Sequence, residues 1–172
     1  MLTLLLLRHA KSSWDDPSLD DFERPLNKRG TIAAQRIGAY LAEEHLIPDL
    51  VLCSTAVRTR ATLTLVINAM RATTPSVQFR DDLYLADAGT LLDIVRATEA
   101  KVKTLLVLGH NPGLHSLALE LTGHGPRPLI AELAMQYPTA ALTRLTFDEK
   151  SWSAIRGAGG TLEAFVLPRR LS

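Results

Sequence analysis

A three-layer α/β sandwich is the fold this sequence predicts, with a mostly parallel central sheet, helices on both faces and an antiparallel C-terminal addition. Short apolar runs alternate with longer helical patterns, as in parallel sheets whose two faces are both covered. The end of the chain then switches to strand-like runs around a glycine-rich turn, Gly157-Ala158-Gly159-Gly160. The 172 residues are expected to form a single domain, 1–172. A chain of that length buries enough apolar surface to need no disulfide or metal staple.

The first run, Leu2–Leu7, is apolar apart from Thr3 and reads as a buried strand. A secretory signal carries its positive charge ahead of such a run, whereas Arg8, His9 and Lys11 follow it. It is also far shorter than the roughly 20 residues that cross a bilayer. A cytoplasmic location is expected. Thr31–Glu44 brings Ile32, Ile37, Tyr40 and Leu41 near one helical face, and Leu50–Cys53 reads as the second strand. A helix over Ala56–Ala72, a strand at Val77–Phe79, a helix over Thr90–Ala97 and a strand at Thr104–Leu108 follow. The helix Pro112–Leu121 opens on a proline suited to a first turn. Thr122–Pro138, with three prolines and two glycines, is expected to be mostly irregular with one short helix. Ala141–Phe147 and Leu162–Leu167 supply the antiparallel addition.

Composition narrows the function classes. Hydrophobic residues make 47% of the chain and charged residues 22%, the balance of a globular protein. Nineteen Lys+Arg against 18 Asp+Glu leave +1, so no overall field points to nucleic acid or to a membrane surface. The lone Cys53 excludes an internal disulfide and a multi-thiolate metal site, and its place in an apolar run reads as an inert core position.

In open α/β sheets ligands sit beyond the carboxyl ends of the strands. Three such ends carry related chemistry. Arg8-His9-Ala10-Lys11-Ser12 follows the first strand. Ser54-Thr55-Ala56-Val57-Arg58 follows the second, with Ser54 or Thr55 suited to cap a helix whose free N–H groups favour an anion. Arg58 in that first turn offers a two-pronged fork for phosphate, while Arg60 points elsewhere around the helix. Gly109-His110-Asn111-Pro112-Gly113 follows the fourth, with Asn111 suited to cap the next helix. Taken singly, each segment also reads as solvated rim chemistry. Together they offer cations, N–H donors and imidazoles to one ligand, and the ligand that fits is a phosphoryl group.

These ordered segments resemble the histidine phosphatase superfamily, with its phosphoglycerate-mutase-like fold. Arg-His-Ala-Lys-Ser-Ser-Trp at 8–14, Arg24-Pro25-Leu26-Asn27-Lys28-Arg29-Gly30, and Gly-His-Asn-Pro-Gly-Leu at 109–114 are similar to its short SixA-like branch of phosphohistidine phosphatases. The resemblance implies that His9 is the nucleophile, transiently phosphorylated, and that Arg8, Arg58 and His110 complete the phosphate pocket. It implies neither metal nor other cofactor, since side chains supply the positive charge. Asn27 reads as a helix N-cap that could also approach the phosphate. Ala10 stands where the commoner motif has glycine. Many members carry an acid after the third strand that protonates an alcohol leaving group. That stretch here, Asp81-Asp82-Leu83-Tyr84-Leu85-Ala86-Asp87, has no glutamate, and its aspartates read as turn or cap residues. Asp15, Asp16 and Asp21, in the acidic loop after the first strand, are the candidates for a general acid.

The expected activity is therefore metal-independent hydrolysis of phosphohistidine in a phosphotransfer protein. A phosphomonoesterase for a small substrate and a non-catalytic phosphate-binding adaptor are the alternatives. Among the other histidines, His45 and His124 read as solvated and His115 as packed. The five-residue spacing of His110 and His115 is poor for a shared zinc. Trp14 and Trp152 suit either the core or a substrate-receiving surface.

Overall fold

The structure, a computed structural model, describes residues 1–172. Its strands are β1 (Leu2–Arg8), β2 (Leu50–Ser54), β3 (Ser76–Arg80), β4 (Thr104–Gly109), β5 (Thr122–His124), β6 (Leu142–Phe147) and β7 (Gly160–Val166). They form one sheet in the order β3-β2-β4-β1-β6-β7-β5. Strand β6 pairs antiparallel with both β1 and β7, so β7 and its parallel neighbour β5 run in the direction of β1. The antiparallel element is thus β6 alone.

The helices are α1 (Lys28–Glu43), α2 (Val57–Met70), α3 (Ala88–Arg96), α4 (Gly113–Leu121) and α5 (Arg127–Met135). Side chains of a strand alternate between faces, and β1 divides its leucines accordingly. Leu2, Leu4 and Leu6 join the core cluster shared with α3, α4 and α5. Leu5 and Leu7 join the cluster shared with α1 and α2. All five leucines are fully buried, which is why the run carries no polar alternation.

Four local expectations need correction. Ile32 is 46% exposed; the inward face of α1 is instead Gly30, Ala34, Ile37, Gly38 and Leu41. A Cβ on Gly30 would lie 2.2 Å from the Lys11 carbonyl, so only glycine lets α1 approach the loop leaving β1. Thr122–Pro138 is more regular than its Pro and Gly content suggested, holding β5 and α5: Pro126 precedes the helix and Pro128 sits in its first turn, where no N–H partner is lost. Neither Ser54 nor Thr55 caps α2, whose N-cap position is Ala56. Asn111 does not cap α4 either; Pro112 holds that position and the Asn111 amide donates to the Tyr137 carbonyl at 2.9 Å. Of the tryptophans, Trp152 is fully buried with its indole N–H on the Val102 carbonyl, while Trp14 is exposed. No helix is long and apolar enough to cross a membrane.

Candidate active site

Parallel register brings the ends of β1, β4 and β2 to the same rim, with Arg8 opposite Gly109 and Cys53 opposite Leu108. A cleft of about 280 Å³ opens there, lined among others by Arg8, His9, Trp14, Arg24, Arg58 and His110. Residues from three separate strand ends, some 50 positions apart in sequence, therefore share one small volume.

His9 is 6% exposed. Its Nδ1 lies 2.7 Å from the Ala10 carbonyl, an acceptor, so Nδ1 carries the proton and Nε2 keeps its lone pair. The Ala10 N–H in turn donates to Thr62 Oγ1 at 3.0 Å, which ties the turn after β1 to α2. Ala10 adopts no left-handed backbone angle, so the absence of glycine there costs nothing. Arg58 Nε approaches His9 Nε2 at 3.4 Å. Burial lowers the His9 pKa to about 4, opposed by the Ala10 carbonyl and aided by the charges of Arg58, Arg8 and Arg24. The ring is neutral at physiological pH, the state in which an imidazole can act as a nucleophile.

His110 sits beside it, ring centroids 5.4 Å apart. Burial, then the His9 and Arg58 charges, lower its pKa to about 3. Its Nε2 lies 2.8 Å from the Ser54 hydroxyl and its Nδ1 3.4 Å from Arg58 Nη2. A hydroxyl both donates and accepts, so Ser54 supports either tautomer of His110. With Arg58 donating to Nδ1, Nε2–H faces Ser54; with the proton on Nδ1, that N–H is free for an oxygen in the cleft.

The cations are held by backbone and by one carboxylate. Arg8 donates from Nη1 to the Tyr137 carbonyl at 3.0 Å, and burial together with the nearby Arg58 charge lowers its pKa. Arg58 donates to the Asp21 carbonyl at 2.7 Å and to Asp21 Oδ2 at 3.0 Å. Arg24 reaches Asp21 Oδ1 at 3.1 Å and stacks 3.5 Å over the Trp14 ring. Arg8 Nε and Arg24 Nη1 are buried donors without a partner in the chain, an arrangement that an anion in the cleft would satisfy. Burial favours the neutral acid at Asp21, but hydrogen bonds from Tyr84 and Arg58 outweigh it and hold the pKa at about 2. Asp21 is ionised.

The structure thus brings Arg8, His9, Arg58, His110 and Asp21 together. Asp15 and Asp16 lie exposed on the loop, Asp16 bonded to Ser18, and neither lines the cleft. Asn27 caps α1 by accepting from the Gly30 N–H at 2.8 Å and does not line the cleft either. Asp87 caps α3, and Asp81 and Asp82 bond Thr55 and Arg80. Arg60 lies outside, 4.9 Å over Phe79. His45 and His124 are exposed, and His115 packs on Tyr137 with Nε2 on the Leu133 carbonyl. Sequence reasoning missed Arg24, Ser54 and Tyr84, whose hydroxyl donates to Asp21 Oδ2 at 2.5 Å. Arg24 was visible only as part of a motif, and Ser54 was read as a helix cap.

Residues 4–94 match the sequence model of the histidine phosphatase superfamily (branch 1). The chain belongs to this superfamily. It is 33% identical to the uncharacterized protein ML1117 of Mycobacterium leprae over 167 residues, covering 95% of this chain and 100% of that one. Among solved structures it is similar to the one assigned to the phosphohistidine phosphatase SixA of Agrobacterium tumefaciens, with 30% identity, coverage of 97% and 98%, and a TM-score of 0.81. A corresponding SixA assignment from Nakamurella multipartitia matches at 29% identity, coverage of 97% and 96%, and a TM-score of 0.84. The family and these neighbours support a phosphatase with the phosphoglycerate-mutase-like fold predicted from the strand-end motifs.

Proposed function

We propose that this protein hydrolyses phosphohistidine in a phosphotransfer protein, in two steps through a phosphorylated His9. The observation that carries the choice of substrate is the state of Asp21. It is the one carboxylate bonded to the cleft arginines, and its pKa of about 2 leaves it no proton to give at neutral pH. An alkoxide leaves poorly without a proton in the transition state. An imidazole leaving group is protonated by water or arrives protonated, so a site without an acid suits a P–N bond. The two neighbours assigned as SixA phosphohistidine phosphatases point the same way.

In the first step His9 Nε2 forms a bond to phosphorus as the bond to the substrate imidazole breaks. Arg8 and Arg58 donate to the phosphoryl oxygens, where charge is spread in flight. Arg58 exchanges its bonds to Asp21 for bonds to phosphate, and His110 turns its Nδ1–H to an oxygen while Ser54 donates to Nε2. In the second step water attacks the phosphorus of phospho-His9, releasing phosphate and restoring the lone pair on Nε2. The cations occupy the role that a metal fills elsewhere, so turnover needs none.

The test is turnover in EDTA of a histidine-phosphorylated phosphotransfer domain beside p-nitrophenyl phosphate. We expect the protein substrate to react far faster. Preference for the ester would favour a small-molecule phosphomonoesterase, and binding without turnover of either would favour an adaptor.

A further inference from the structure

A second groove, of about 360 Å³, adjoins the cleft and shares Lys11 and Thr139 with it. Helix α1 forms one wall, presenting Arg29, Ile32 and Arg36, and Arg169 from the end of the chain faces them. Residues 29, 32 and 36 follow the spacing of one helical face, placing the two arginine Cα atoms about 10 Å apart along the axis with an isoleucine between them. The ion pairs of the chain use other residues throughout, and the nearby Glu132 is engaged by Arg170 at 2.7 Å. Lys11, Arg29 and Arg169 are exposed and Arg36 is partly so. The +1 of the whole chain thus conceals a local concentration of four cations beside the phosphate cleft.

We infer that this groove is where the substrate phosphoprotein docks, through an acidic face next to its phosphorylated histidine that also carries an apolar side chain for Ile32. The inference rests on the phosphoprotein reading above and adds to it the chemistry by which the partner is recognised. Two observations select the occupant. The groove adjoins the cleft across Lys11 and Thr139, so a macromolecule that presents its phosphoryl group to the cleft has the groove beside it. None of its cations makes an ion pair within the chain, Arg169 feeling Glu132 only at longer range, while Ile32, 46% exposed, sits among them, a mixture that suits a protein face better than a uniformly charged nucleic acid backbone. Lys11, common to both hollows, marks the junction.

The test compares wild type with Arg29→Glu/Arg36→Glu, substitutions outside the catalytic cleft, on two substrates. These are a histidine-phosphorylated phosphotransfer domain of net negative charge and p-nitrophenyl phosphate. We expect kcat/KM on the domain to fall by roughly tenfold through KM, and further in an Arg169→Glu background, with p-nitrophenyl phosphate unchanged within about twofold. Raising the salt should slow the wild type on the domain and leave the variant nearly insensitive, because the lost attraction was between exposed charges. The unchanged ester rate also reports that the variant is folded. Equal turnover of the domain by wild type and variant would overturn the docking assignment alone. A wild type that cleaves the ester and leaves the domain untouched would overturn the phosphoprotein reading and the groove with it. Binding of a short RNA that is lost in the variant, with turnover of the domain unaffected, would assign the groove to nucleic acid and overturn the proposal.

Discussion

Two arginine-rich regions meet at Lys11 and differ in nearly everything but composition. In the cleft, Arg58 and Arg24 are 3% and 7% exposed, and Arg8 is half-buried with one nitrogen fixed on the Tyr137 carbonyl. Their guanidinium groups are held by partners within the protein and are largely shielded from bulk water. In the groove, Arg29 and Arg169 are exposed and Arg36 partly so, without ion-pair partners in the chain. Their charges act through solvent and are screened by salt, which suits encounter rather than chemistry. On the proposed reading, the difference teaches that burial, more than charge, separates an arginine suited to stabilise a transition state from one suited to recruit a partner. Burial is costly for a cation unless it is paired. The cleft meets that cost with Asp21 and with backbone carbonyls aimed at Arg8 and Arg58.

The largest expected contrast is in kcat. Arg58→Ala should lower kcat on a phosphohistidine substrate by about 10²–10³-fold with KM little changed, since its bonds strengthen in the transition state. Steady-state kinetics reads this directly, and an effect confined to KM would place Arg58 with the recruiting arginines and erase the distinction. The roughly tenfold KM effect expected at Arg29 and Arg36 is the smaller, opposite pattern.

Protonation sharpens the comparison further. The folded-state pKa values of His9 and His110, about 4 and about 3, lie below the ordinary value of 6.5 that holds in the unfolded chain. Between those limits the unfolded chain binds protons that the folded chain does not. The stability these residues contribute is therefore full above pH 6.5 and is lost as pH falls toward 4 and then 3. Titration of the His9 ring by NMR should give a midpoint near 4. A midpoint near 6.5 would mean that the ring is hydrated and that the cleft is no drier than the groove.

Strand ends were the part of this molecule that the sequence exposed most clearly. The leucines of β1 stop at Arg8-His9, and β4 stops at Gly109-His110, so the residues past those runs had to share a rim once the strands were parallel. Arg58 was visible for the same reason. Asp21 could be named only as one of three loop aspartates, because its role depends on residues 21–23 forming a short 3₁₀ turn that reaches Arg58, 37 positions away. Nothing periodic in the loop records that fold-back. Ser54 was misread because a serine before a helix usually caps it; here His110, from a different strand, takes its hydroxyl. Ile32 was assigned inward by its hydrophobicity, whereas the close approach of α1 to Lys11 and to α2 needs the small residues Gly30 and Gly38 on that face.

The most direct measurement is a rapid-quench experiment with a phosphotransfer domain carrying labelled phosphohistidine. Alkali-stable, acid-labile label should appear on this protein within the first turnover, map to the peptide containing His9, and be absent from His9→Ala, which should also lose turnover by more than about 10³-fold. Full turnover with no protein-bound label at any quench time, or label on His110 in place of His9, would contradict the account.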